Sequence, residues 1–397
     1  MNIYFDENMP FAKEFFSDLG TLTAFSGRDL TAEKIADADV LLVRSITKVN
    51  ERLLSKNDQL QFVGTATIGV DHIDQTLLAE KNITFTSAPG CNAISVAEYV
   101  ISALIVMAER DLLDVFSLTV GIVGAGNTGS RLSEKLTALG IKHVLCDPIL
   151  EKQQGANVCA DTHTNQNDDN REYVSLEQAL ACDVISLHVP IINDGEHPTY
   201  HLLDERKLSQ LSDNQILINA CRGEVIDNQA LLSLKQQGMK TRLILDVWEN
   251  EPNILMPLVE YADIATAHIA GYSLEGKARG THMLYQALCK TLNVAEKWTL
   301  AQFLPTALIN NVTVSSTSDV GQCDQTLLTP LVKTVYDIRR DDAIFRHQII
   351  EKGFDTIRKT YPIRREFSAV SVNDTDSAAA NINDSTSIRI LNQLGFS

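Results

Sequence analysis

The sequence predicts an α/β protein with a doubly wound parallel sheet, on three observations. Short apolar runs alternate with polar stretches of helical period, the rhythm of strand and crossover helix. One run, in "TVGIVGAGNTGSRL" (Thr119 to Leu132), passes through a glycine turn straight into a helical pattern. Three later runs end in an arginine, a glutamate and a histidine, residues that a buried sheet would not otherwise take.

From Asn2 to about Pro89, "NIYF", "VLLVRS", "FVGTATIG" and "ITFTSAP" read as strands of a first α/β unit. "NAISVAEYVISALIVMAER" (Asn92 to Arg110) is apolar nearly all round, so it is expected as a helix buried between layers. The second unit starts at Leu118, with strands at "TVGIVGAG", "KHVLCD", "DVISLHVP", "QILINAC", "RLILDVW" and "DIATAHIA". Among its helices is "VIDNQALLSLKQQG", with Asp227 as N-cap. "QQGANVCADTHTNQNDDNRE" (Gln153 to Glu172) is polar and poor in apolar residues, which predicts a surface loop. A helix is expected over Leu274 to Glu296. Beyond it, "QTLLTPLVKTVYDIRRDDAIFRHQII" reads as charged helix, "FSAVSVND" follows, and "SIRILNQLGF" is the last helix, so the C-terminal residues form a third, smaller unit. "LLTPLVKTVYDI" offers an apolar face suited to self-association, and Arg339, Arg340 and Arg346 are either a solvated face or a phosphate-binding cluster.

A length of 397 residues accommodates roughly two or three domains. The 34 Lys and Arg against 51 Asp and Glu give a net charge of −17, which repels polyanions and argues against nucleic acid or an anionic membrane as partner. The seven cysteines are scattered and never spaced Cys-x-x-Cys, so neither a disulfide framework nor a metal site is expected. No apolar run has the length of a membrane span and "MNIYFDENMPFAKEFF" is charged early, so a cytoplasmic protein is expected.

Gly124, Gly126 and Gly129 stand as G-x-G-x-x-G between strand and helix. The first permits the tight turn, the second lets the backbone approach a pyrophosphate, and the third lets helix and strand pack closely. Asp147 ends the next strand, 18 residues beyond Gly129. A carboxylate there accepts hydrogen bonds from ribose hydroxyls and repels a 2′-phosphate, so NAD is favoured over NADP.

Arg222 follows "ILINAC", Glu251 lies in "DVWENEP" after "LILDVW", and His268 follows "DIATA". In an open α/β sheet, ligands bind beyond the carboxyl ends of the strands, so all three are candidates for one crevice. Histidine is the natural acid–base near neutral pH, a carboxylate beside it fixes its tautomer, and arginine grips a carboxylate bidentately. That set matches the oxidation of a 2-hydroxy acid by hydride transfer.

"GIVGAGNTG", "INACRGEVIDN", "LDVWENEP" and "HIAGYSLEGKARG" resemble the D-isomer-specific 2-hydroxy acid dehydrogenases, and "FDENMP", "VRSITKVN", "VGTATIGVDHID", "APGCNAISVAEYV" and "YDIRRDDA" extend the resemblance through most of the chain. The resemblance implies a Rossmann-type sheet inserted in a flavodoxin-like α/β substrate or lid domain, plus a smaller α+β C-terminal dimerisation domain. It implies boundaries at 1–95 with 272–292 for the lid, 96–271 for the NAD-binding domain and 293–397 for the dimerisation domain of a homodimer. The fingerprint is late because it belongs to the insert. By motif position the resemblance makes Arg222, Glu251 and His268 catalytic. It brings Asp246 to the nicotinamide carboxamide, Ala220, Cys221 and Gly271 beside the cofactor, and Ser45, Thr67 and Tyr272 to a phosphorylated substrate. At Val189, where a small polar residue is expected, only a backbone contact to NAD carries over. The alternatives are D-3-phosphoglycerate oxidation and, in another class, a dinucleotide-sensing corepressor of the C-terminal-binding-protein type.

Overall fold

Parallel strands dictate this architecture, because each needs a crossover to reach its neighbour. The computed structural model describes residues 1–158, 171–314, 324–374 and 386–397. In chain order come β1 (Asn2–Asp6), α1 (Ala12–Phe16), β2 (Thr21–Phe25), β3 (Val40–Val43), α2 (Glu51–Leu54), β4 (Phe62–Thr65), α3 (Gln75–Glu80), β5 (Thr84–Thr86) and α4 (Ala93–Asp111). Then follow β6 (Thr119–Val123), α5 (Asn127–Leu139), β7 (Lys142–Cys146), α6 (Pro148–Val158), α7 (Leu176–Leu180), β8 (Val184–Leu187), α8 (Glu205–Leu208), β9 (Ile216–Asn219), α9 (Asn228–Gln236), β10 (Arg242–Leu245), α10 (Met256–Tyr261) and β11 (Ile264–Ala265). The rest is α11 (Leu274–Leu292), β12 (Asn311–Val314), α12 (Gln325–Val335), α13 (Ile338–Lys352), α14 (Phe354–Lys359), β13 (Ser371–Asp374) and α15 (Thr386–Leu394).

The chain divides into two compact units, residues 1–94 with 272–306 and residues 95–271 with 307–397. In the first, a five-stranded parallel sheet has the order β2-β1-β3-β4-β5, the flavodoxin-like arrangement. The continuous apolar runs of β3 and of "FVGT" in β4 are buried throughout, as a sheet covered on both faces requires. β2 escapes sequence reading because Thr21, Thr23 and Ala24 of this edge strand are exposed. Leu284, Tyr285 and Leu288 of α11 join Phe15, Phe16 and Phe62 in one core cluster. The helix stops at Leu292, short of the expected Glu296, because Asn293 turns left-handed with φ 54° and donates to the carbonyls of Cys289 and Lys290.

In the second unit six parallel strands run β11-β10-β9-β8-β6-β7. The order reverses at β6, which makes the sheet doubly wound. Pairing brings Cys146, Val123, Leu187, Asn219, Leu245 and Ala265, the last residues of the six strands, into one transverse row. Of the expected loop 153–172, residues up to Val158 continue α6, and 159–170 lie outside the described residues. The expected charged helix is two helices, α12 and α13, divided where Tyr336 becomes extended and Asp337 caps α13 by accepting the Arg339 N–H at 3.1 Å.

The smaller α+β region, 307–397, shares its core with 95–271. Phe345, Ile349, Phe354 and Ile357 pack in one cluster with Leu217, Leu245 and Trp248. No helix among the described residues is long and apolar enough to cross a membrane. Cys91, Cys146, Cys182, Cys221 and Cys289 are free thiols.

A buried charge cluster ties α4 and α5 to this region. Glu98 lies 3.2 Å from the Lys135 Nζ and accepts the Phe367 N–H at 3.1 Å. Lys135 also donates to the Leu394 carbonyl. Burial pushes the Glu98 carboxyl up to about 7, with Glu366 adding to the rise while Lys135 and Arg364 oppose it. Between the ordinary 4.5 and about 7 the folded chain therefore holds a proton that the unfolded chain releases, so stability falls as pH rises through that window. Measured against Glu98→Gln, the protein's relative stability falls as pH rises across this window. Paired denaturant melts at about pH 5 and about pH 8 check this, and a constant difference between the two proteins would refute it.

Candidate active site

The transverse row explains why distant motifs converge. One to a few residues beyond it come Gly124 after β6, Asp147 after β7, His188 after β8, Ala220 to Arg222 after β9, Asp246 to Glu251 after β10 and Thr266 to Gly271 after β11. All therefore leave the carboxyl edge of a single sheet.

At the first of these ends the three glycines have distinct physical reasons. Gly124 has φ 94°, and a Cβ there would stand 2.6 Å from the His188 carbonyl oxygen. A Cβ on Gly129 would come within 2.0 Å of the Gly124 carbonyl oxygen, so helix and turn could not keep their contact. Gly126 meets nothing within 4 Å and begins α5 without a side-chain cap. An open backbone at the positive end of a helix dipole is a fitting cradle for a diphosphate.

Asp147 accepts the Ala125 N–H at 2.9 Å through Oδ2 and the Leu150 N–H at 3.1 Å through Oδ1. It braces the glycine turn and starts α6. Alongside, Ile149, Lys152, Ile192 and His197 contribute to a cavity of about 420 Å³.

At the opposite side of the sheet the His268 Nδ1 lies 2.7 Å from the Glu251 Oε2, whose other oxygen accepts the Trp248 N–H at 3.0 Å. Burial tends to raise the Glu251 carboxyl, but the charge and hydrogen bond of His268 outweigh it, with help from Arg358 and the Trp248 N–H. The group stays below its ordinary range. The pairing commits Nδ1 and leaves Nε2 for proton transfer. A third of the His268 side chain is exposed, at 33%.

His268 has φ 55°, an unfavourable conformation for a non-glycine residue. Asp246 holds it there. Its carbonyl accepts the His268 N–H at 2.7 Å, Oδ1 accepts from the Thr266 hydroxyl (2.6 Å) and the Ile269 N–H (2.7 Å), and Oδ2 accepts the Ala270 N–H (2.9 Å).

Arg222 is oriented by Asn219, which sequence reasoning missed. Its Nδ2 donates to the Arg222 carbonyl at 2.9 Å and its Oδ1 accepts the Cys221 N–H at 3.2 Å. A lone amide in the apolar run "ILINAC" was the available signal. The Cys221 thiol is pushed up to about 11 by burial, so it is a neutral neighbour and no nucleophile. His188 is half-buried, hydrogen-bonded to Ser186 at 2.8 Å and lowered to about 4 by desolvation.

His201, Asp227 and Glu249 offer donor atoms within 4.8 Å of one another. His201 already bonds Glu249 at 2.6 Å, Glu249 accepts the Asn228 N–H, and Asp227 caps α9, so the group serves as a structural tie.

In the first unit, Ser45 and Thr67 follow adjacent strands whose ends pair as Val43 with Thr65. Thr67 bonds Thr65 at 2.8 Å and donates to the Gly69 carbonyl at 3.0 Å. Tyr272 precedes α11, and its ring centroid lies 5.5 Å from the Arg44 guanidinium and 5.6 Å from the Lys277 Nζ. The arginine cluster is spent elsewhere: Arg339 pairs with Asp337, Arg340 with Asp341, and Arg346 with Asp342 and the carbonyls of Val259 and Ala262.

The doubly wound sheet, the glycine cradle and the His–Glu pair define a dinucleotide-dependent oxidoreductase. Residues 103–270 match the D-isomer specific 2-hydroxyacid dehydrogenase, NAD binding domain, and residues 303–395 match a domain of unknown function (DUF3410). The chain is 60% identical to an erythronate-4-phosphate dehydrogenase of Colwellia psychrerythraea, over 94% of this chain and 95% of that one. It is 46% identical to one from Pseudoalteromonas translucida, over 100% and 99%. The solved D-lactate dehydrogenase of Aquifex aeolicus, complexed with NAD and lactic acid, aligns with a TM-score of 0.59 at 27% identity, over 74% of this chain and 96% of that one. The chain belongs to the D-isomer specific 2-hydroxyacid dehydrogenases, in the erythronate-4-phosphate dehydrogenase branch.

The two glycine positions separate folding from binding. Gly129→Ala is expected to cost about 1–3 kcal/mol through the forced backbone clash, while Gly126→Ala keeps its melting temperature and weakens NAD. Thermal melts with NAD titration measure both, and full NAD affinity in Gly126→Ala would remove that residue from the cradle.

Proposed function

We propose that this protein catalyses the NAD-dependent oxidation of 4-phospho-D-erythronate to 2-oxo-3-hydroxy-4-phosphobutanoate, a step of pyridoxal 5′-phosphate biosynthesis. The observation that carries this reading is identity of up to 60% with the erythronate-4-phosphate dehydrogenases, spanning both units. Neither 3-phosphoglycerate oxidation nor corepressor-like peptide binding has an observation of comparable weight.

NAD supplies the hydride acceptor when bound. The turn of Gly124, Gly126 and Gly129 would hold its diphosphate, and Asp147 would read the adenosine ribose while bracing that turn. Ala220, Cys221 and Gly271 would line the nicotinamide end, and Asp246 would stand beside the carboxamide. As hydride leaves C2, the His268 Nε2 takes the hydroxyl proton and Glu251 stabilises the imidazolium formed. Arg222 grips the substrate carboxylate and polarises the forming carbonyl. Ser45, Thr67 and Tyr272 bind the phosphorylated substrate.

The protein works in the cytoplasm as a homodimer joined through residues 293–397. The apolar face expected for self-association in "LLTPLVKTVYDI" is instead spent within the chain, with Leu328, Leu331, Val332, Tyr336 and Ile338 buried, while Leu308, Ile309, Ile350 and Ile363 are exposed apolar side chains that a second copy would cover. Light scattering of the full chain is expected to give twice 43.8 kDa. A monomer at micromolar concentration would overturn that assignment.

NADH formation with 4-phospho-D-erythronate, run beside 3-phosphoglycerate, tests the activity. His268→Ala and Arg222→Ala are each expected to lower kcat by about a hundredfold or more with NAD binding retained. Near-normal turnover in the histidine variant would sink the mechanism.

A further inference from the structure

β11 is the outermost strand of the six-stranded sheet and is only Ile264–Ala265 long. An edge this short, leading into a residue held in the left-handed region, needs support from outside the sheet. Residues far along the chain provide it. The Ala265 N–H donates to Asp342 of α13 at 2.7 Å. Arg364 then reaches the loop itself, its Nη2 donating to the Ala270 carbonyl at 2.9 Å and to the Ser95 carbonyl at 2.5 Å, with Nη1 lying 3.5 Å from the Ile269 carbonyl.

The arrangement has two opposed grips. Asp246 takes the N–H groups of Ile269 and Ala270, while Arg364 faces the carbonyls of the same residues. Arg364 is 2% exposed, and its guanidinium stacks 4.0 Å from the Tyr336 ring centroid. Its hydrogen bonds go to the carbonyls of Ser95, Ile269 and Ala270. A buried cation spread over several carbonyls uses the planar fork that arginine has and lysine lacks.

We infer that Arg364 is a positioning residue for His268, so that the C-terminal region takes part in turnover by fixing the peptide units next to the proton-transferring imidazole. The inference rests on the assignment of His268 under the proposed activity. It concerns a residue that touches neither substrate nor cofactor and acts through the loop.

The test uses full-length Arg364→Lys and Arg364→Gln. Arg364→Lys is expected to melt near the wild type and to lose about tenfold or more in kcat, with KM for NAD and for 4-phospho-D-erythronate changed by less than about twofold. Millimolar guanidinium is expected to restore part of the turnover of Arg364→Gln. In the substrate-free protein, the imidazole NMR signal of His268, assigned by its loss in His268→Ala, is expected to move in Arg364→Lys. Unchanged kcat and an unmoved signal in a folded variant would overturn the inference, as would a loss of turnover that simply follows a loss of folded protein and resists guanidinium. A wild-type chain inactive on 4-phospho-D-erythronate would instead count against the proposed activity, and the NMR measurement would still decide the role of Arg364.

Discussion

Asp246 sits at the end of β10 with both carboxylate oxygens buried and occupied, by the Thr266 hydroxyl and by the N–H groups of Ile269 and Ala270. Burial raises its pKa, although the His268 charge and these donors pull the other way. Removing a carboxylate from water is costly unless its lone pairs are satisfied, and here satisfying them defines the shape of the loop. The donors must come from the chain just after β11, which fixes the turn and holds His268 at φ 55°. That conformation lets the side chain meet Glu251 at 2.7 Å. The acid–base group thus follows from the hydrogen-bond requirements of Asp246, which stands at the strand end between those of His268 and Arg222.

The parallel sheet supplies the other half of the geometry. With strand ends in register, six separate stretches of sequence deliver their next residues to one edge. A one-residue slip in any strand would turn its side chains to the opposite face and carry its end out of the common row, so the site and the hydrophobic core are specified together.

Much of this was legible in the sequence because its signals are local. The runs of β3, β6, β8, β9 and β10 are apolar enough to declare themselves, and the glycine spacing carries its own steric logic, which the Cβ clashes at Gly124 and Gly129 bear out. What stayed hidden depends on partners distant in sequence. β2 is an exposed edge with little apolar content. Asn219 looks like an interruption until its amide is seen between Cys221 and Arg222. The arginines of "DIRRDDAIFR" looked available as a group, yet Asp337, Asp341 and Asp342 claim one each. Charge runs show composition and leave pairing undetermined.

The C-terminal region resolves a difficulty that the six-stranded sheet creates. Open sheet edges attract foreign strands and are blunted by shortening or by covering. Both devices operate at β11, which is two residues long and is covered by α13, with Asp342 accepting its outward Ala265 N–H. Arg346, one turn further along the same helix, holds Asp342 at 2.9 Å and binds the carbonyls of Val259 and Ala262 behind the strand. The same cover brings Arg364 to the loop that follows. Protection of an edge and rigidity of the histidine loop are therefore one packing solution, which gives residues 307–397 a physical reason to share a core with the sheet they guard.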